Sequence, residues 1–600
     1  MMKKTMFFVL GVLCSLTMMA EPFSVRVNGK TDYPAENTED VDFQGRVQYA
    51  AYDVPLKAGD KLTCFDAGAA GGGAEWNIGV IDQYGAYQNF AVGSDALTCN
   101  KEGKYNIYIK LKFEDDMWYI EEAGGSSGGG DYKGSVPSKC PDVMFQAFYW
   151  DSYQDKGYGR TKWIDWNNGT NNTSAEEIGK WFDLVWLPPM SKSSGGTGYH
   201  PTQYGNLDSA WGTKDNLIRL INTLHQNGAR VVADIVINHA DGTGWCSFFK
   251  QSFGSYGSFA PDASWICSTD EVNTEGDAGC KGKATGSADD GYGDEANYSA
   301  ARDWDHNSAK VREMFKAYLQ WLRHDIHVDG FRYDYCKGFH NSHINDYNSS
   351  AQAYFSVMEY WDGNVNTLQE RLNDAGWNTL TFDFATKYTA FNDGIGKDNY
   401  WQLKGAGLPG AGKSRYAVTF LDSHDSFQRD GNEFCGKDNS MKNLGKVEQC
   451  YAYMLSMPGV PCVFYPHWIK CKEAIKKMIN ARYKTGVHSE SAVSDESGDG
   501  FYKATITGTN GEIRVLIGPN SGYGSTPSGY TLAVKGNNYG VYYKMTSQRG
   551  DKDQNRKPQG IEEVEGGASN VERGEKFMQD GKLYIRCGET VYDIMGRIVK

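Results

Sequence analysis

Beyond residue 20 the chain has no apolar run long enough to cross a bilayer, so no membrane span is expected in the mature protein. Positive charge is the minority: 61 Lys and Arg stand against 75 Asp and Glu, a net charge of −14. That sign argues against nucleic acid or an anionic membrane surface as the main partner. Although there are 13 cysteines, no two form a CxxC pair, which speaks against a zinc site. Nor is the chain poor in apolar residues; at 40% hydrophobic it can bury a large core, and global disorder is excluded.

What is present begins with a leader. Residues 1–20 carry Lys3 and Lys4, an apolar stretch from Met6 to Leu13, and Ala20 at a plausible cleavage position. This pattern predicts a signal peptide and an exported, secreted or cell-surface protein. Cys14 follows Leu13, a residue too bulky for the usual lipoprotein pattern. Export permits disulfides, and Cys246, Cys267 and Cys280 lie close together in one loop-rich region with their pairing left open. Aromatic residues reach 14%, with 38 Tyr, 27 Phe and 16 Trp; such a surplus fills cores and also offers faces on which sugar rings stack.

At about 150 residues per domain, a chain of 600 residues implies roughly four domains. Residues 22–122 alternate short apolar runs with turns, as in KYNIYIKL at 104–111 and MWYI at 117–120, and predict a β-sandwich. Residues 123–139 form a Gly/Ser-rich linker. From 140 to 486 short buried runs alternate with amphipathic helices. The runs are Val143–Tyr149, Leu184–Leu187, Val231–Ile237, Val328–Tyr333, Tyr354–Met358, Thr379–Phe382, Tyr416–Leu421 and Val460–Phe464. One helix carries Leu217, Leu220, Ile221 and Leu224 on a face and stops at Gly228; another carries Val311, Phe315, Tyr318, Leu319 and Leu322. The fold class is therefore α/β, a (β/α)8 barrel, with a polar, Gly- and Asp-rich insertion at about 240–302 after the third strand. Residues 487–546 read as a C-terminal all-β domain. Residues 547–600 read as a linker and a tail, in which 582–600 hold two strands too short to fold alone.

In such a barrel the chemistry sits where strands end. The third strand ends in Asp234-Ile-Val-Ile-Asn238-His239 and the fourth in Gly330-Phe-Arg332-Tyr-Asp334-Tyr-Cys-Lys337-Gly338. The fifth ends in Val357-Met-Glu359-Tyr-Trp361 and the seventh in Phe420-Leu-Asp-Ser-His424-Asp425. One ionisable cluster at a strand end is ordinary solvation; four at one barrel mouth are not.

These four segments resemble, in kind and in order, the conserved regions of the α-amylase superfamily, glycoside hydrolase family 13. GYHPTQYGNLD at 198–208 is similar to the loop after that family's second strand, and ARDWDH at 301–306 with KGF after Asp334 resembles plant-type and related bacterial members. The resemblance covers about residues 140–545. It implies that Asp334 is a nucleophile, Glu359 the acid/base and Asp425 a third carboxylate that stabilises the transition state. Retaining enzymes of this kind hold two carboxyls about 5–5.5 Å apart. It further implies that Arg332 keeps Asp334 ionised, that crowding raises Glu359, and that His239, His424 and Lys337 contact sugar while Tyr199 stacks on it. Asp234 is expected to support the barrel.

The same resemblance implies calcium, which takes six to eight oxygen ligands. Asn238, Asp303 and the backbone oxygen of Gly338 would supply them; Asp303 stands 31 residues before Asp334, as in the plant-type enzymes. Asn297, six residues before Asp303, stands where relatives carry Asp, and Asp294 is a substitute. The ion would clamp the insertion. The first unit resembles a starch-binding module, with Trp76, Trp118 and Tyr119 as sugar platforms. The tail resembles sorting or anchoring tails of exported Bacteroidetes proteins, so a bacterial source is expected.

The reading is a secreted, monomeric, calcium-dependent α-amylase acting on internal α-1,4-glucosidic bonds of starch or related α-glucans, without an organic cofactor. Its rivals are a 4-α-glucanotransferase or an oligo-α-glucosidase on the same site, and a non-catalytic glucan-binding protein. The intact set Asp334, Glu359 and Asp425 speaks against the last.

Overall fold

The computed structural model describes residues 23–41, 47–67, 74–85, 89–111, 116–122, 133–154, 158–170, 173–293, 301–427 and 443–554, and strands Glu575–Gln579, Lys582–Cys587 and Thr590–Asp593. Cys14 and the rest of the leader, Asp294, Asn297 and most of the two linkers lie outside the described residues.

Eight parallel strands close into a barrel. They are β1 (Met144–Gln146), β2 (Leu184–Leu187), β3 (Arg230–Ile235), β4 (Gly330–Tyr333), β5 (Phe355–Met358), β6 (Leu380–Phe382), β7 (Ala417–Phe420) and β8 (Val460–Phe464). Strands buried on both faces read as continuous apolar runs rather than as alternation, and all four residues of β2 are buried. The pairing register sets Asp234 beside Arg332 and Arg332 beside Val357. A fully buried arginine and aspartate therefore lie side by side before any loop contributes.

Helix Lys214–Gln226 buries Leu217, Leu220, Ile221 and Leu224 against this sheet. Thr213 caps its first turn by accepting a hydrogen bond from the Asn216 amide. The chain leaves it through Gly228 at φ +94°, a conformation that costs a side chain dearly and glycine little. Helix Ala309–His324 likewise buries Val311, Phe315, Tyr318, Leu319 and Leu322.

The insertion opens and closes on one short ladder, His239–Ala240 paired with Arg302–Asp303. A Cys246–Cys280 disulfide crosslinks it, and Cys267 stays a buried thiol. It is tied back to the barrel by His343 Nε2 to Asp290 Oδ2 at 2.9 Å and by the Tyr292 hydroxyl, which donates to Asp374 Oδ2 at 2.9 Å.

Among the described residues, 23–122 form a six-stranded and a five-stranded sheet. Val25, Leu62, Cys64 and Leu97 of the first and Ala51, Val54, Ile107, Trp118 and Ile120 of the second share one core. Trp118 is fully buried there, so the expectation that it is a sugar platform is wrong: its indole holds the two sheets together. Trp76 stays half-buried, its Nε1 donating to Asp116 at 3.3 Å, and the Tyr119 side chain lies outside the described residues.

Five antiparallel strands occupy Ala492–Met545, joined to helix Leu444–Ser456 by the Tyr539 hydroxyl donating to Glu448 Oε2 at 2.9 Å. The C-terminal residues from 561 form a separate unit. It contains a three-stranded antiparallel sheet; the strand not expected from sequence is Glu575–Gln579, which pairs with Lys582–Cys587.

Candidate active site

The centre of the barrel mouth is one guanidinium. Arg332 Nη1 donates to Asp334 Oδ1 at 2.5 Å and to Asp234 Oδ1 at 2.8 Å. Its Nη2 stands 2.9 Å from Glu359 Oε2. Arg332 lies on β4 and Asp334 follows its last residue, so the two, two residues apart along the extended chain, face the same way. Glu359 follows the end of β5, and its Oε2 also accepts from the Tyr335 amide at 3.1 Å. Asp334 and Glu359, from neighbouring strands, are thus held within the span of one guanidinium. The side chains of Asp334, Glu359 and Asp425 keep 11%, 12% and 13% of their exposure, enough for each to present an oxygen to the mouth.

Electrostatics here are ruled by burial. Glu359 is pushed up to about 8, first by burial and then by the neighbouring charges of Asp334 and Asp425, against the opposing pull of Arg332. Burial also pushes Asp334 up to about 7, with Arg332 again opposing. Crowding raises Glu359 as expected, second to burial. One expectation is corrected: Arg332 orients Asp334 without bringing it back to the usual carboxylate range. A carboxyl loses more by leaving water than one shared guanidinium returns. Both carboxyls are raised, and they titrate as a coupled pair.

Asp234 is fully buried and raised to about 6 by burial. It accepts from Arg332, from Trp186 Nε1 at 2.9 Å and from the Tyr199 hydroxyl at 2.9 Å. It therefore fastens Arg332 and Tyr199 to the barrel interior.

Asp425 stands beside His424, with His424 Nε2 3.2 Å from Asp425 Oδ2. On the other side of that ring, the Gln146 amide Nε2 donates to Nδ1 at 2.9 Å, which leaves the Nε2–H to face Asp425. Tyr199, His424 and Trp150 lie nearly parallel, with centroids 5.1, 5.6 and 5.8 Å apart pairwise, and form an aromatic wall. Sequence reasoning missed Gln146 and Trp150. Gln146 ends β1 and Trp150 follows it; no charged residue stands there before Asp151, so a search for charges at strand ends passed over it.

His239 is buried and lowered to about 4 by burial, hence neutral. Its Nε2 donates to the Tyr199 carbonyl at 2.9 Å and its Nδ1 faces the Asn238 amide at 3.2 Å. Donation to a sugar would require giving up the Tyr199 carbonyl, so here His239 shapes the wall. Lys337 is half-buried, with its Nζ 5.8 Å from the centre of the Tyr360 ring, next to Glu359 in the chain.

The residues expected to hold a metal are partly brought together. Asn238 Nδ2 donates to Asp303 Oδ1 at 3.3 Å, while Asn238 Oδ1 is buried without a partner. Gly338 packs so tightly on that amide that a Cβ would collide with it. A buried amide oxygen left unpaired beside a buried carboxylate and a bare backbone fits a hard cation with oxygen ligands. Among the described residues no group of three or more His, Cys, Asp or Glu side chains is gathered for metal binding.

Comparison with known proteins agrees with this geometry. The alpha-amylase family, described as the catalytic domain of alpha amylase, matches residues 176–504. Alpha-amylase 3, chloroplastic, of Arabidopsis thaliana is 30% identical over 427 residues; the match covers 67% of this chain and 44% of that protein. Probable alpha-amylase 2 of the same plant is 29% identical, with coverage of 67% and 94%. A glucan 1,4-alpha-maltotetraohydrolase of Stutzerimonas stutzeri is 26% identical, with coverage of 70% and 75%.

Proposed function

The chain belongs to the α-amylase family of glycoside hydrolases, and from that premise we propose that it is a secreted, retaining α-amylase cleaving internal α-1,4-glucosidic bonds of starch and related α-glucans. The observation that carries the reading is the Arg332 guanidinium, which touches Asp334 at 2.5 Å and Glu359 at 2.9 Å.

Glu359, protonated up to about 8, gives its proton to the glycosidic oxygen as that bond breaks. An Asp334 oxygen bonds to the anomeric carbon, and the leaving sugar departs as an alcohol. Glu359, now ionised, takes a proton from water; the water oxygen attacks the anomeric carbon and Asp334 leaves. Two inversions give net retention. Asp425 stabilises the oxocarbenium-like charge and accepts hydrogen bonds from sugar hydroxyls. Trp150, Tyr199 and His424 give the sugar an apolar face to lie against.

Calcium would be held by Asn238 Oδ1, Asp303 and the Gly338 carbonyl, where its charge would tie the insertion to β3 and β4. Trp76 is the described platform through which the N-terminal unit would touch glucan. The leader-like residues 1–20 support export, and no helix among the described residues is long and apolar enough to cross a membrane.

The test is a time course on soluble starch with product sizing and proton NMR of the first anomer. Mixed short oligosaccharides released as α-anomers are expected. Disproportionated longer chains would turn the reading to a glucanotransferase, and binding without products would turn it to a glucan receptor.

A further inference from the structure

Behind the catalytic mouth lies a buried polar cluster that the reaction does not use. Lys387, Asp422 and His467 retain 3%, 0% and 0% of their side-chain exposure. Lys387 Nζ donates to the Leu421 carbonyl at 2.5 Å and to Asp422 Oδ1 at 3.2 Å. Ser426 Oγ donates to the same Oδ1 at 2.9 Å and accepts from the Ser423 amide at 3.0 Å. His467 Nε2 stands 3.4 Å from Asp422 Oδ2. Its Nδ1 meets the Tyr451 hydroxyl at 2.9 Å, which itself accepts from the Phe464 amide at 3.1 Å.

These groups come from separate elements. Lys387 opens a segment after β6 wound with π-helical bonds, an irregularity that collects at functional positions. Asp422 and Ser426 belong to the turn leaving β7, His467 to helix Tyr465–Thr485 after β8, and Tyr451 to helix Leu444–Ser456. They converge on Asp422, two residues before His424 and three before Asp425. A buried ion pair is weak evidence for stability, since apolar replacements often serve as well. Its use is to fix one geometry, and the geometry fixed here is the turn that presents His424 and Asp425.

We infer that Lys387, Asp422, Ser426 and His467 form a positioning device for Asp425, acting on turnover through that turn without touching substrate. The inference rests on the catalytic reading of Asp425 above. It is tested in the full-length enzyme with Lys387→Met, Ser426→Ala and Lys387→Arg. Melting curves identify folded variants, and Ser426→Ala, which removes one hydroxyl, serves should Lys387→Met not fold. Displacements near 1 Å can cost as much as about 100-fold, so a fall in kcat of about tenfold or more on soluble starch is expected. KM should change less than threefold, and Lys387→Arg should recover part of the loss. Wild-type kcat in folded Lys387→Met and Ser426→Ala would overturn the inference. Should wild type itself release no sugar, the hydrolytic reading falls and the inference, which rests on it, falls with it; an active wild type beside unimpaired folded variants overturns the inference alone.

Discussion

Arg332 Nη2 stands 2.9 Å from Glu359 Oε2, yet Glu359 is pushed up to about 8. A cation at this distance ordinarily lowers a carboxyl; here burial and the charges of Asp334 and Asp425 outweigh it. The proposed mechanism needs Asp334 ionised and Glu359 protonated, so kcat/KM against pH should be bell-shaped. Its limbs belong to the coupled pair rather than to either residue alone. Asp425 raises both carboxyls. Asp425→Asn, besides slowing turnover, should therefore move both limbs to lower pH. A profile of kcat/KM for wild type and variant checks this, and a shift to higher pH would contradict it.

Glu359→Gln keeps the shape and removes the proposed proton donor. It should fold, bind soluble glucan and lose at least about 10³-fold in kcat, since the acid and then the base of both steps are gone. Near-normal turnover would end the acid/base assignment. The variant also has a stability signature. A carboxyl raised in the fold favours folding below its unfolded value near 4.5, and that contribution disappears as pH rises through about 8. Gln escapes this loss, so the melting temperature of the variant should gain on wild type from pH 5 to pH 9.

Trp118 and Trp76 separate core from platform. Trp118→Ala opens a cavity between two sheets and should cost about 3–5 kcal/mol, read as a lower melting temperature of the N-terminal unit. Trp76→Ala, which removes a half-buried ring packed on the same core, should lower melting less than Trp118→Ala and weaken adsorption to granular starch. Equal adsorption in wild type and Trp76→Ala would remove Trp76 from glucan binding.

The Trp118 case also marks where sequence stops being readable. In MWYI every residue is apolar, so no polar position reveals which alternate side chains face inward; only pairing with Lys104–Leu111 decides it. The barrel was legible for the opposite reason. Strands buried on both faces need no phase, and Leu184–Leu187 reads as a strand from its apolar run alone. Asp334, Glu359 and Asp425 were legible because charges at the ends of apolar strands stand out. Gln146, Trp150 and Lys387 were not, because an amide, an indole and a lysine in a helical segment look ordinary until the fold brings the first two to the mouth and the third behind it. The choice of Cys280 over Cys267 as partner for Cys246 likewise depends on loop geometry that spacing does not encode.

The Cys246–Cys280 disulfide crosslinks the insertion, and the proposed calcium would hold it by independent chemistry, so the two can be separated. The Cys246–Cys280 bridge closes a loop of 34 residues, and its removal by Cys246→Ser with Cys280→Ser should cost up to roughly 3–4 kcal/mol on the chain-entropy account. The unpaired Asn238 Oδ1 beside Asp303 predicts a cation effect instead. Calcium that binds only the folded state at 100 times its Kd should stabilise by about 2.7 kcal/mol, raising the melting temperature after chelator treatment is reversed. Asn238→Ala should abolish that rise while leaving sensitivity to reductant intact. The double cysteine variant should do the reverse, melting lower while still responding to calcium. A calcium response that survives Asn238→Ala at undiminished strength would move the cation away from this amide.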